Sequence, residues 1–321
     1  MNTVRSSDGT AIAFDRVGEG PAVILVAGAL GTRGFDPLSP APLLAERFTV
    51  FTYDRRGRGD SGDTPPYEVE REVEDIAALI AESGGEACVY GISSGAVLAL
   101  EAAERLSGIT RLALYEPPFI TDDSRAPLPE DYVDRLNELV AAGRRGDAVE
   151  LFMTAAAGVP AEYIGPMRQD PSWAGMEKVA HTLAYDGAVM GETMSGRPLP
   201  RDRWVTVTAP TLVMAGGNSE PFFHSGARAL GVSRAGFFRG SEPTHQRMLM
   251  RDCAAMRVAR SRSSSGYFLG AAMTLILPRF ESLHHTRHET LLTVDKKRRL
   301  RDGVGARSAP SPKLAITEQD R

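Results

Sequence analysis

The residues best suited to covalent chemistry form the pentapeptide Gly-Ile-Ser-Ser-Gly at residues 91–95. An apolar run at residues 87–90 predicts a strand before it, and an Ala- and Leu-rich run at residues 94–106 predicts a helix after it. So tight a turn strains the serine backbone and exposes the hydroxyl at the strand end. Ser93 is therefore a candidate nucleophile, and the N–H of Ser94, at the predicted helix N-terminus, is a candidate oxyanion donor. An ordinary Gly-Ser loop that caps a helix is the alternative.

Strand-like and helix-like segments alternate along the first 115 residues. A continuous apolar run at residues 22–26 predicts a strand that is buried on both faces, and residues 49–53 predict the next strand. Helical spacing of apolar residues at 69–81 predicts a helix. This alternation predicts an α/β fold with a mostly parallel central sheet and helices on both faces. Asp8 and Gly9, between two alternating segments, predict a hairpin that adds antiparallel strands at the sheet edge.

The segment at residues 117–208 breaks this alternation. It begins with two prolines, and the next apolar strand comes only at residues 211–215. Helical stretches are predicted within it at residues 130–142, 146–157 and 174–190. We therefore predict a helical lid at residues 117–208, inserted after the sixth strand. The sheet core is then expected at residues 1–116 and 209–246.

Residues 247–321 differ in composition from the rest of the chain. They contain 15 Lys and Arg against 7 Asp and Glu, and their apolar residues show little periodicity. This pattern predicts an atypical basic, poorly ordered C-terminal tail. The sequence leaves two explanations of this tail open. One is a reading frame that shifts after about residue 230, and the other is a basic arm that contacts anionic partners.

Length and composition exclude several classes of protein. The 321 residues are 42% hydrophobic and carry a formal net charge of −4, so nucleic acid is not expected as the main partner. The chain start lacks a signal-peptide pattern, and the longest apolar stretch is too short to cross a bilayer, which predicts a cytoplasmic protein. Two cysteines make no disulfide framework. No metal-ligand spacing is present, and neither a metal nor a cofactor is predicted.

Three further segments, taken with residues 91–95, resemble the α/β-hydrolase family. They are YDRRGRGDSG at residues 53–62, LYEPP at residues 114–118 and APTLVMAGG at residues 209–217. They follow the family's order over about residues 1–230. The resemblance is to the bacterial branch that includes esterases, enol-lactone hydrolases and cofactor-free haloperoxidases.

The resemblance also implies the other residues of the site. The family takes its second oxyanion donor from the loop after the third strand, which implies Ala29, although Ala27 stands where the family usually has His. The family's base is a His after the last strand, which implies His245. Its acid follows the sixth or the seventh strand, and this leaves Glu116, which we favour, and Glu220 as alternatives.

Charged residues are dense in the resembling segment that follows the fourth strand. Asp54 and Asp60 lie within a few residues of Arg55, Arg56 and Arg58. We expect the two carboxylates to stabilise this loop by pairing with the arginines, without a role in catalysis.

Together these features predict a serine hydrolase of small carboxylic esters or lactones that works through an acyl-enzyme. The alternative is a catalytically impaired member of the fold that acts as a binding or accessory protein, which the Ala at position 27 favours. A perhydrolase side activity with peroxide would use the same residues. A dinucleotide site is disfavoured, because Gly28, Gly31 and Gly34 do not have the G-x-G-x-x-G spacing. The sequence does not predict the oligomeric state.

Overall fold

The computed structural model of the protein describes residues 1–34, 39–232 and 237–239. His245 and the predicted tail at residues 247–321 lie outside these described residues. Within the described ranges, no helix combines the length and the apolar character that crossing a bilayer requires.

Eight strands form one sheet in the described part of the chain. They are β1 (Asn2–Arg5), β2 (Ala11–Val17), β3 (Ala22–Val26), β4 (Thr49–Tyr53), β5 (Ala87–Ile92), β6 (Ile109–Tyr115), β7 (Thr211–Met214) and β8 (Phe237–Arg239). Their order across the sheet is β1-β2-β4-β3-β5-β6-β7-β8. The β1–β2 and β2–β4 pairs are antiparallel, and the remaining pairs are parallel. The predicted α/β fold with a mostly parallel sheet is confirmed.

Helices surround this sheet and fill the chain between β6 and β7. The α-helices of the described residues are α1 (Ala41–Leu44), α2 (Val69–Glu82), α3 (Ser94–Arg105), α4 (Tyr132–Ala141), α5 (Arg145–Leu151), α6 (Ala161–Arg168), α7 (Trp173–Val179), α8 (Leu183–Met190) and α9 (Pro221–Val232). Helices α4 to α8 all lie between β6 and β7, and the structure describes no strand in this part of the chain.

Strand β3 is buried on both faces of the sheet. Alternate residues of a strand point to opposite faces. Ile24 and Val26 belong to the hydrophobic cluster that contains α2 and α3, whereas Val23 and Leu25 belong to a separate cluster with α1. All four residues are buried, which explains why the strand is a continuous apolar run instead of an alternating one.

Helix α3 is buried along most of its length. Its residues 94–102 are all buried, and small side chains let the helix pack closely against the sheet. Burial of Leu98 and Leu100 contributes about 1.5–3 kcal/mol each to stability. This packing holds the first turn of α3 directly after the end of β5.

The helical segment, residues 117–208, contains more helices than the sequence predicts. Helix α4 lies within the first predicted stretch, and α5 begins one residue before the second. A π-helical turn at Phe152–Ala156 extends α5. Helix α6 is not predicted, because Gly165 and Pro166 are poor helix formers and interrupt its apolar spacing.

Candidate active site

Ser93 lies in the turn between β5 and α3, with a φ of 56° and a ψ of −127°. A positive φ is uncommon for a non-glycine residue and costs on the order of 1–3 kcal/mol. The N–H of Ser93 donates to the carbonyl oxygen of Tyr115 at 2.9 Å, which ties the turn to the end of β6. A Cβ on Gly95 would overlap the carbonyl oxygens of Val26 and Ala27, so glycine is required where α3 approaches the loop after β3.

Ser93 lines a cavity of about 320 Å³ at the end of the sheet. Its apolar wall comes from the helical segment and α9, and comprises Leu128, Phe152, Leu183, Met190, Met194, Phe222 and Phe223. The Ser93 hydroxyl therefore borders the space that a substrate would occupy. The volume and the mostly apolar wall are typical of a small-molecule site.

The loop after β3 lies against Ser93. A Cβ on Gly28 would come within 3.1 Å of the Ser93 Cβ. The N–H of Gly31 donates to the Gly28 carbonyl at 3.3 Å, and Leu30 has a φ of 61°, so the loop turns sharply here. Ala29, in this turn, and Ser94 both line the cavity. The two residues considered as backbone oxyanion donors therefore border the same space as the Ser93 hydroxyl.

Glu116 follows β6 and joins the ends of two neighbouring strands. Its φ is 50°, and the residue is 1% exposed. Glu116 Oε1 accepts a hydrogen bond from the N–H of Gly216 at 2.8 Å and another from the hydroxyl of Ser219. Because Gly216 and Ser219 follow β7, the carboxylate is held at the carboxyl edge of the sheet, on the side where Ser93 also lies.

Glu220 has a different environment from Glu116. Its side chain is 47% exposed, and its carboxylate lies 3.8 Å from the Arg125 guanidinium. The base implied by the sequence, His245, lies outside the described residues. The two histidines that the structure does describe, His181 and His224, do not line the cavity.

Asp186, on α8, is a buried residue of the cavity wall that the sequence does not reveal. Its carboxylate accepts hydrogen bonds from the Ser94 hydroxyl at 2.7 Å, from Arg55 at 2.6 Å and from Arg58 at 2.7 Å. Burial acts to raise the pKa of Asp186, but Arg58 and Arg55 outweigh it and hold the pKa below its ordinary value of 3.8. One carboxylate thus contacts both the serine turn and the arginine loop after β4.

The same two arginines also bind the loop after β3. Arg58 Nη1 donates to the Gly28 carbonyl at 2.6 Å, and Arg55 Nη1 donates to the Ala27 carbonyl at 3.3 Å. Both arginines are buried. The loop after β3, in which Ala27 replaces the family's usual His, is therefore fixed by hydrogen bonds from two guanidinium groups of another loop.

The predicted pairing of Asp54 and Asp60 with the neighbouring arginines is wrong. Both carboxylates form ion pairs with Arg33 instead, and Asp54 also accepts from the Arg33 N–H at 2.8 Å. Arg55 pairs with Glu72 and Asp186, both of which are far from it in sequence. Closeness in sequence misleads here because the arginines point away from their own loop, toward helices α2 and α8.

The described residues contain no group of three or more His, Cys, Asp and Glu side chains arranged to hold a metal ion.

Comparison with known proteins agrees with this architecture. A model described as the alpha/beta hydrolase family matches residues 23–263. An alpha/beta hydrolase structure from Sphaerobacter thermophilus is 51% identical, with a TM-score of 0.69, and the match covers 78% of this chain and 100% of that one. An esterase from Exiguobacterium antarcticum and an enol-lactonase from Burkholderia xenovorans share the fold at 20% identity, with TM-scores of 0.57 and 0.55. These two matches cover 79% and 80% of this chain and 98% of each other chain. The chain therefore belongs to the α/β-hydrolase family.

Proposed function

We propose that the protein hydrolyses small carboxylic esters or lactones through an acyl-enzyme on Ser93. The observation that carries the proposal is the strained serine turn beside a mostly apolar cavity, with Ala29 and Ser94 in the same wall. The esterase and the enol-lactonase that share the fold act on substrates of this chemical class, as their names state. The cavity volume of about 320 Å³ suits a small substrate.

In the proposed reaction, the Ser93 oxygen attacks the ester carbonyl carbon while a histidine accepts the hydroxyl proton. The carbonyl oxygen becomes an oxyanion, which the N–H groups of Ala29 and Ser94 stabilise. Collapse of the tetrahedral intermediate releases the alcohol, which takes the proton from the histidine. Water then attacks the acyl-enzyme by the same steps and releases the acid. We assign the base to His245, as the resemblance implies.

We assign the acid of the proposed triad to Glu116 and not to Glu220. Glu116 is buried and fixed by Gly216 and Ser219, whereas Glu220 is half-exposed and lies beside Arg125. A carboxylate that orients a histidine must itself be held in place, because its role is to fix one tautomer and one ring orientation.

We further propose that the helical segment, residues 117–208, is a lid that shapes the acyl pocket. The segment supplies most of the apolar cavity wall, from Leu128 to Met194. Substrate selection then depends on residues that lie outside the sheet core, as expected where function resides in segments added to a common fold.

Hydrolysis of p-nitrophenyl acetate tests the proposed function. We expect Ser93→Ala to lower kcat/KM by roughly 10³-fold or more, since loss of the nucleophile removes the covalent path. Ser195→Ala is the matched control, because Ser195 also lines the cavity and should retain activity within about threefold. Full activity of Ser93→Ala would contradict the assignment, and an inactive wild type would favour a binding or accessory role.

A further inference from the structure

Two arginines of the described residues line the cavity, and they differ in exposure. The Arg125 side chain is 12% exposed, whereas the Arg197 side chain is 67% exposed. Water screens the charge of Arg125 much less than that of Arg197. A charge on a bound ligand would therefore interact more strongly with Arg125.

The Arg125 guanidinium is held in position but is poorly neutralised. Nη2 donates to the Ala156 carbonyl at 2.9 Å, and the guanidinium carbon lies 4.5 Å from the Phe222 ring centroid. Among the described residues, the Ala156 carbonyl is the one hydrogen-bond acceptor of a group that has five N–H donors. The Glu220 carboxylate lies 3.8 Å away, beyond hydrogen-bond length, and is half-exposed. Burial lowers the pKa of Arg125, and Glu220 opposes this change.

The other charged residues in the described cavity wall are compensated or exposed. Asp186 binds two guanidinium groups, and Glu192 lies 3.5 Å from Arg197 in a solvent-exposed pair. Glu130 is exposed. Within the part of the wall that the structure describes, Arg125 is thus the solvent-shielded cation whose charge is least neutralised by nearby carboxylates.

We propose that the substrate is an ester or lactone that carries a carboxylate, which Arg125 binds while Ser93 attacks the ester carbonyl. This inference rests on the proposed hydrolase function and names its substrate class. A planar guanidinium binds a carboxylate through two parallel N–H···O bonds, so Arg125 fixes both the presence and the orientation of the anion. The mostly apolar wall suits the carbon chain between the two groups.

Monomethyl adipate and dimethyl adipate compare an anionic ester with a neutral ester of nearly the same length. With acid release followed by titration at neutral pH, we expect kcat/KM to favour the monoester by about tenfold or more, because charge-assisted hydrogen bonds in a shielded site are strong. The pair of 4-acetoxybutanoate and butyl acetate places the carboxylate on the leaving-group side instead. A preference for the anion in either pair supports the proposal.

Three variants assign the preference to Arg125. Arg125→Gln should lower kcat/KM for the preferred anion about tenfold more than for its neutral partner, and Arg125→Lys should keep part of the preference. Arg197→Gln is the control, because it removes an equal charge that is exposed and already paired with Glu192. Glu220→Gln should increase the preference, since it removes the carboxylate that competes for the same guanidinium.

Equal rates for the anionic and neutral esters in both pairs would overturn the proposal, as would a preference that survives Arg125→Gln. In either case, hydrolysis of the neutral esters would still support the proposed function. If no ester reacts, calorimetry of Ser93→Ala with monomethyl adipate decides the question. If Ser93→Ala binds monomethyl adipate and the Ser93→Ala, Arg125→Gln double variant does not, the result supports the anion site. If Ser93→Ala does not bind it, the proposal is overturned.

Discussion

Ser93 and Glu116 both have a positive φ, of 56° and 50°, directly after neighbouring strands β5 and β6. Such strain persists where the surroundings determine the conformation. The N–H of Ser93 is bonded to Tyr115, and the Glu116 carboxylate is bonded to Gly216 and Ser219. We infer that the strain is retained because it presents a hydroxyl and a carboxylate at one edge of the sheet.

Substitution of the two candidate carboxylates separates their roles. We expect Glu116→Gln to lower kcat for p-nitrophenyl acetate by about 10²–10⁴-fold with little change in KM, because an amide does not stabilise the imidazolium. Gln still accepts the hydrogen bonds of Gly216 and Ser219, so the fold should persist. Glu220→Gln is the matched variant, and a larger loss of kcat in it than in Glu116→Gln would assign the acid to Glu220.

The two serines of the turn illustrate which residues sequence reasoning finds. Ser93 is recognisable because its strand, its glycines and its helix are contiguous in the chain. The partner of the Ser94 hydroxyl, Asp186, is 92 residues away, and Asp186 lies 131 and 128 residues from Arg55 and Arg58. Those contacts arise only once α8 packs on the sheet core, so no local pattern predicts them.

At the scale of elements, the loop after β3 depends on the loop after β4. The Arg58 guanidinium donates hydrogen bonds to three groups: the Gly28 carbonyl, the Thr182 hydroxyl and the Asp186 carboxylate. These partners belong to the loop after β3, to the turn before α8 and to α8 itself. We infer that Arg58 is a positioning residue, which holds the loop that carries Ala29 without contacting the substrate.

Arg58→Lys tests this positioning role. The single ammonium of Lys does not reproduce the forked contacts of the guanidinium, so the loop should shift. We expect kcat to fall about tenfold, which is less than the effect of removing an oxyanion donor. KM should change much less. Arg56→Lys is the control, because Arg56 is equally buried and forms forked bonds to Asp75 away from the cavity. An equal loss of kcat in both variants would indicate a general effect on folding.

Across the whole molecule, Asp186 connects the helical segment with the sheet core. Its pKa is held below 3.8 in the folded protein, although burial acts to raise it. Asp8, on the β1–β2 hairpin, behaves in the same way: burial acts to raise its pKa, but Thr10 and Arg56 lower it to about 2. Because the unfolded chain binds these protons more readily, the two carboxylates stabilise the fold above about pH 4. They lose that effect as the pH falls below their ordinary pKa of 3.8, which for Asp8 extends to about pH 2.

Asp186→Asn should destabilise the protein by about 3–5 kcal/mol, since it leaves two buried guanidinium groups without their shared carboxylate. Urea unfolding at several pH values measures this loss, and the variant should also lose less stability than the wild type as the pH falls below about 4. Asp147→Asn removes the surface pairs with Arg144 and Arg168 and should cost at most about 1 kcal/mol. Equal stability of the two variants would refute the connecting role of Asp186.

The sequence predicts the sheet better than the helices between β6 and β7. Strand β3 is a continuous apolar run because both of its faces are buried, and this signal is local. Helix α6 escapes prediction because Gly165 and Pro166 weaken its local signal, and its burial depends on neighbouring helices. The arginine pairings are also mispredicted, since they depend on how α2 and α8 pack.

Whether Ser93 carries an activated hydroxyl is measured most directly by reacting the full-length protein with a fluorophosphonate at neutral pH and mapping the adduct by mass spectrometry. Reaction of this kind requires a serine oxygen made nucleophilic by its surroundings. We predict one adduct, on the peptide that contains Ser93, and none in Ser93→Ala. A wild-type protein that stays unlabelled, or that is labelled on another residue, would contradict the proposed acyl-enzyme chemistry.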